Sequence, residues 1–170
     1  RHRAKKSFFL VPCTSSERRD YMPVGFFTSE YLTTHSAQVV YDADSFVFGI
    51  LSSRAHMLWV KAVGGRLKSD IRYSNLICYN TFPIPKISEA RKEKIRLAGL
   101  KLLGVREAYP ESTISNLYDP DDMPAELRLA HKELDATIEV CYDKGEFKND
   151  EELLSHLFKL FEKMTGSQNA

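Results

Sequence analysis

The densest chemistry in the sequence lies between Arg54 and Asn80. Arg54, Lys61, Arg66 and Lys68 are long cations that could neutralise phosphates and release counterions, giving affinity without sequence readout. Arg72 could hold guanine O6 and N7 in bidentate fashion, and Asp70 could accept from cytosine N4. Two residues apart, on an extended segment they project from one face and could read neighbouring base edges together. A solvated basic loop with one Asp–Arg ion pair accounts for the same residues.

Other chemistry is missing. No GxGxxG, GxxxxGK[ST], HExxH or GxSxG occurs, so the common dinucleotide, P-loop, zinc-protease and nucleophile-elbow signatures are absent. His2, His35, His56, His131 and His156 have no metal-ligand spacing, and His56 reads as a structural histidine on a helix. Asp119, Asp121 and Asp122 lack the fixed offsets and central glycine of an EF-hand and read as a loop capping the next helix. Asn80-Thr81-Phe82-Pro83 departs from the Asn-Pro-Pro-aromatic motif of amino-methyltransferases, because Thr81 stands where proline must aim the carbonyl. No catalytic residue and no metal site is expected.

Composition sharpens the choice of partner. The net charge over 170 residues is only +1. From Arg1 to Asn75 there are 11 Lys+Arg against 6 Asp+Glu, a surplus of +5; from Leu76 to Ala170 the figures are 13 and 17, or −4. Halves of opposite sign suit different partners. The apolar run Phe46–Leu51 is far too short for a bilayer, which needs about 20 residues, and Pro12 ends the Phe8–Val11 run too early for a signal peptide. Cys13, Cys78 and Cys141 make no CxxC pair, which fits thiols in a reducing cytoplasm. A start at Arg rather than Met suggests a piece of a longer protein.

The elements that must position these residues follow from pattern. Ser7–Val11, Met22–Phe27 (with Gly25 as a bulge), Ala37–Tyr41 and Leu76–Tyr79 read as strands. Asp44 to Ala62 has helical spacing, capped by Asp42-Ala43-Asp44, split by Ser52-Ser53 and ended by Gly64-Gly65. Thr81–Pro85 is an extended connector, since two prolines in three residues forbid helix. Beyond it the chain is helical. Ser88 caps a helix to about Glu107, with Ile95, Leu97, Leu100, Leu102 and Leu103 as its apolar positions. Leu127, Ala130, Leu134, Ile138 and Cys141 form one stripe after Pro124. Asn149 and Glu152 make a capping box for a last helix carrying Leu153, Leu154, Leu157, Leu160, Phe161 and Met164. The expected fold is α+β: a small mixed portion, residues 1–85, and a helical portion, residues 86–170.

Three stretches resemble the C-terminal part of MmeI-like DNA methyltransferases. They are Ser53-Arg-Ala-His-Met-Leu-Trp59, Gly65-Arg-Leu-Lys-Ser-Asp-Ile-Arg-Tyr-Ser74 and Tyr79-Asn-Thr-Phe-Pro-Ile-Pro85. Leu117-Tyr-Asp-Pro-Asp-Asp-Met-Pro124 and Ala130-His131-x-x-Leu134-Asp135 are similar to the same proteins, and the likeness runs from Phe8 to the last helix. It implies single-chain restriction–modification and related adenine-N6 methyltransferases. In these an upstream domain binds S-adenosylmethionine and carries the catalytic Asn-Pro-Pro-Tyr/Phe motif. A recognition domain then reads double-stranded DNA, and a helical segment follows it. By the same likeness Ser69, Asp70 and Arg72 would read bases, while Arg54, Lys61, Arg66 and Lys68 would hold phosphates. The recognition domain would be truncated at its N-terminal side, and this chain alone would carry no cofactor. The competing expectation is a protein-interaction module whose acidic helical half docks on a partner domain.

Overall fold

The continuous apolar run Phe8-Phe9-Leu10-Val11 makes Ser7–Pro12 (β1) the central strand of a three-stranded antiparallel sheet, between β3 (Gly25–Thr28) and β4 (Ala37–Tyr41). Phe9 lies opposite Phe26 and Val40, and Phe8 opposite Phe27 and Tyr41. Both phenylalanines are buried, so both faces of β1 are covered. Phe9 packs on Phe48, with ring centroids 5.1 Å apart, and Phe8 stacks on Phe27 at 5.7 Å. The computed structural model describes residues 6–31, 33–142 and 147–166.

A second antiparallel sheet has the order β2-β6-β5: Thr14–Ser15 (β2), Asp70–Arg72 (β6) and Gly65–Leu67 (β5). The chain passes from β1 to β2 through Cys13, whose carbonyl accepts from Tyr73 N at 2.9 Å and joins the sheets at one corner. The strand expected over Met22–Phe27 starts only at Gly25. Pro23 has no N–H to give a ladder, and Val24 N turns back onto Met22 O at 2.8 Å.

Caps set the helices where the polar signals stand. Asp44 Oδ1 accepts from Phe46 N and Val47 N at the start of α1 (Ser45–Leu51). Ser53 Oγ accepts from His56 N at the start of α2 (Arg54–Val63), so the Ser52-Ser53 break is real. Ser88 caps α3 (Glu89–Glu107). The loop after α3 holds one short turn, α4 (Ile114–Leu117), and Pro124 caps α5 (Ala125–Glu139). Asn149 Oδ1 accepts from Glu152 N at the start of α6 (Asp150–Gly166), while the Glu152 carboxylate reaches back to Lys148 N rather than to the cap's own N–H.

Two expectations need correction. Leu76–Tyr79 is not a strand. Asn75–Tyr79 is a π-helical turn closed by Asn80 N on Asn75 O at 2.9 Å, with Cys78 buried as its anchor and Leu76 and Ile77 in solvent. A four-residue apolar run does not by itself distinguish strand from helix. Leu97 and Leu100 are exposed: the buried face of α3 is Ile95, Gly99 and Leu102, and both leucines fall off it. At Gly99 a Cβ would lie 2.8 Å from Ser45 O, so glycine is what lets α3 cross α1 so closely.

The α5 stripe Leu127, Ala130, Leu134, Ile138 and Cys141 is buried, as its spacing requires. It joins Phe9, Trp59, Ile71 and Leu157 in one core, so the basic and acidic portions share a hydrophobic interior. The three cysteines are free. Among the described residues no helix is long and apolar enough to cross a membrane.

Candidate nucleic-acid interface

Helix α2 delivers the chain directly into the β5–β6 hairpin. Gly64 N closes the last turn on Val60 O at 2.9 Å, and a Cβ on Gly64 would stand 2.5 Å from that carbonyl. Leu67 pairs with Asp70, leaving Lys68 and Ser69 as a two-residue turn. Lys68 takes φ 57°, a left-handed conformation that costs a non-glycine residue about 1 kcal/mol.

Alternation along β6 decides which side chains face out. Ile71 is buried and pins the strand to the core; Asp70 and Arg72 point the opposite way. Ser69 is exposed beside them at the turn. Among the described residues, neither the Asp70 nor the Arg72 side chain makes a hydrogen bond or ion pair, so the Asp–Arg pair that a plain solvated loop would form is not there. Arg72 is flanked by Thr14 on β2 and by Gly65 on β5, and glycine leaves its flank open.

The cations separate into three situations. Lys68 is exposed at the tip, on the turn that carries Ser69, and Lys61 is half-buried in the last turn of α2. Arg66 shares a row with Ile71 and so lies on the other face of the hairpin. It reaches Glu17 at 3.3 Å and Lys61 O at 3.4 Å. Arg54 is turned inward, against the phosphate role expected for it. Its Nη1 pairs with Glu139 Oε1 at 2.8 Å and its Nε with Asp150 Oδ1 at 2.7 Å, with the side chain only 26% exposed. Two carboxylates on one guanidinium leave it no reason to meet a third anion. The structure therefore groups Lys68, Ser69, Asp70 and Arg72, sets Lys61 at the end of α2 and Arg66 on the opposite face, and ties Arg54 to Glu139 and Asp150.

The aromatic residues of the segment hold the hairpin's base. Tyr73 and Trp59 are buried. Tyr73 Oη lies 3.1 Å from His56 Nε2, and Trp59 Nε1 donates to Thr81 Oγ1 at 3.0 Å. Burial pushes the His56 imidazole down to about 3, so it is neutral and structural. In the acidic loop Asp119 accepts from Asp121 N, and Asp121 pairs with Arg18 at 2.6 Å. Among the described residues no cluster of three His, Cys, Asp or Glu could hold a metal.

Sequence reasoning passed over the partners of Arg54. Asp135 is buried and accepts from Arg54 N at 2.7 Å and Tyr21 Oη at 2.8 Å. The signal was visible: Asp135 and Glu139, four apart, stand on the buried side of α5 next to Leu134 and Ile138, where a carboxylate needs partners.

The family model of the MmeI target recognition domain matches residues 1–86, and that of the MmeI C-terminal domain matches residues 87–168. The chain belongs to the MmeI family. Among its relatives, DNA methyltransferase A of Bacillus subtilis (strain 168) is 46% identical over 164 residues, covering 96% of this chain and 18% of that protein. The structure of the Type IIL restriction-modification enzyme MmeI in complex with DNA superposes with a TM-score of 0.92 at 34% identity, over 97% of this chain and 22% of that one. The chain thus spans about a fifth of the length of these relatives. The matches bear out the MmeI resemblance carried by the Ser53–Trp59, Gly65–Ser74 and Tyr79–Pro85 stretches, and with it the α+β class. In MmeI-family terms the hairpin lies within the match to the recognition domain, whereas Asp135, Glu139 and Asp150 lie within the match to the C-terminal domain.

Proposed function

We propose that this chain reads sequence in double-stranded DNA as the recognition and C-terminal part of an adenine-N6 DNA methyltransferase of restriction–modification type. The observation that carries the reading is the hairpin face. Asp70 and Arg72 stand side by side on a strand pinned by Ile71, unpaired and aimed at solvent. An acceptor and a bidentate donor about 6.7 Å apart along the strand suit base edges one or two steps apart in a major groove. Ser69 supplies a hydroxyl at the same tip, and Lys68 and Lys61 supply charge for the flanking phosphates, whereas Arg66, on the Ile71 face and paired with Glu17, takes no such role.

S-adenosylmethionine does not fit this chain's own residues. Both sheets are antiparallel, and among the described residues no glycine-rich strand-to-helix turn is present to cradle it. The cofactor and the methyl transfer are assigned to an upstream domain of the same parent chain, acting in the cytoplasm. What these residues do is bind and orient DNA.

The test is a salt titration of DNA binding by the full-length protein. Affinity should fall steeply with salt, and removing Lys68 should reduce the slope of log K against log[salt] by about 1. Affinity that ignores salt, or that does not distinguish the methylated sequence from unrelated duplex, would refute the reading.

A further inference from the structure

We infer that Arg54, Asp135, Glu139 and Asp150 form a clamp through which helices α5 and α6 aim the DNA-facing hairpin. This rests on the function proposed above and assigns positioning residues for it in the helical portion of the chain.

Helix α2 is a strut of ten residues, about 15 Å long at 1.5 Å per residue. At its first turn the backbone N–H groups have no partner within the helix. Asp135 of α5 takes one of them, Arg54 N, at 2.7 Å, and its other oxygen accepts from Tyr21 Oη at 2.8 Å. The Arg54 side chain then bridges outward to Glu139 of α5 and Asp150 of α6 at 2.8 and 2.7 Å. The beginning of α2 is thus held through backbone and side chain by carboxylates of both helices. Farther along, Trp59 lies against Phe158 and Phe161 of α6, with ring centroids 5.0 and 5.5 Å apart.

The far end of the strut is the hairpin. Gly64 hands α2 to β5 with no intervening loop, and His56 on α2 meets Tyr73, the residue after β6, at 3.1 Å. Both legs of the hairpin are therefore fixed to α2, and α2 is fixed to α5 and α6. A shift or tilt at Arg54 is carried to Asp70 and Arg72. Such a shift matters for readout, because hydrogen bonds to base edges weaken steeply as their distance and angle depart from about 2.9 Å and 150°. Stability alone does not require this cluster, buried at Asp135 and Glu139 and open at Asp150: apolar packing often replaces such ions without loss, and fixing register is an attested use of them.

The test compares Arg54→Met, Arg54→Lys and Asp135→Asn in the full-length protein with an exposed control, Arg18→Met, whose pair with Asp121 is 62% and 71% exposed. Two readouts are taken: amide hydrogen exchange over residues 65–73, and the ratio of affinities for the methylated sequence and for unrelated duplex. Arg54→Met should speed exchange in the hairpin and lower the affinity ratio by about 10-fold or more, with non-specific binding within about 2-fold of wild type. Arg54→Lys and Asp135→Asn, which keep a charge or an acceptor in place, should fold and give intermediate values; Arg18→Met should match wild type. Hairpin exchange and affinity ratio unchanged in all three clamp variants, whatever their melting temperatures, would overturn the clamp. A wild-type protein that does not discriminate sequences would instead refute the proposed function, and the exchange measurement would then decide the clamp alone.

Discussion

Replacing Arg72 by alanine should change what the full-length protein recognises and hardly change how stably it folds. The side chain is exposed and makes no hydrogen bond or ion pair with the described residues, so no internal contact is lost. A surface substitution of that kind stays within about 0.5 kcal/mol of wild type. The backbone of Arg72 keeps its ladder with Thr14 and Gly65, and Ile71 keeps the strand pinned. A lost bidentate contact to guanine costs about 1–3 kcal/mol. At about 1.4 kcal/mol per factor of ten, that is roughly 5-fold to 150-fold in affinity for the preferred site. Sites differing at the base pair read by Arg72 should lose little, because the variant no longer discriminates there. The assay is sequencing of methylated positions on plasmid DNA, together with the methylation rate on the preferred site and a thermal melt. One position of the recognised sequence should become degenerate while the melting temperature holds. An unchanged methylated sequence and rate would refute the assignment of Arg72, and a large drop in melting temperature would refute the structural premise that it stands free.

Three further outcomes follow from the same geometry. Because Lys68 occupies a left-handed position, Lys68→Gly should stabilise the protein by up to about 1 kcal/mol relative to Lys68→Ala in urea unfolding, while both variants lower the salt slope of DNA binding equally. Leu134 is fully buried in the α5 stripe, so Leu134→Ala should destabilise by about 2–5 kcal/mol; a smaller loss would mean the shared core is not as tightly packed as its burial indicates. Burial raises Asp135 from its ordinary value to about 7, so the folded chain binds a proton there that the unfolded chain lacks near neutrality. Its contribution to stability is full below the unfolded value of 3.8 and is lost as pH rises through about 7. His56 and His131, pushed down by burial to about 3, act in the opposite sense: their contribution is full above 6.5 and is lost as pH falls toward 3. The windows overlap between 3.8 and 6.5, where two histidines outweigh one carboxyl, so urea midpoints should fall as pH drops below about 6.5, and Asp135→Asn should steepen that fall.

Much of this was legible because local chemistry and global fold agree. Asp44, Ser53, Ser88 and Asn149 are polar side chains set before apolar periodic runs, and each starts a helix where it stands. The 127–141 stripe is buried because its spacing allows only one face inward. The shared face of Asp70 and Arg72 was legible from their spacing, but the hairpin that carries them, with Ile71 as its buried pin, was not. What pattern did not reveal depends on partners distant in sequence. Arg54 looked like any other cation of a basic segment, and only the return of α5 and α6 brings Glu139 and Asp150 to it, 85 and 96 residues away. Arg66 is near Lys68 in sequence, but strand pairing puts it on the Ile71 face. The π-helical turn at Asn75–Tyr79 is hidden because four apolar residues carry no period; burial of Cys78 and the Thr81 hydroxyl on Ile77 O fix it.

The central claim is that the outer face of the β5–β6 hairpin meets base edges. It is tested most directly by placing a thiol at its tip: Ser69→Cys in the full-length protein, incubated with the preferred duplex carrying disulfide-tethered bases at successive positions. A covalent complex should form at one or two adjacent base positions of the recognised sequence, above the background of the native cysteines and not with unrelated duplex. Crosslinking no greater than wild type at every position, in a variant that still methylates the DNA, would contradict it.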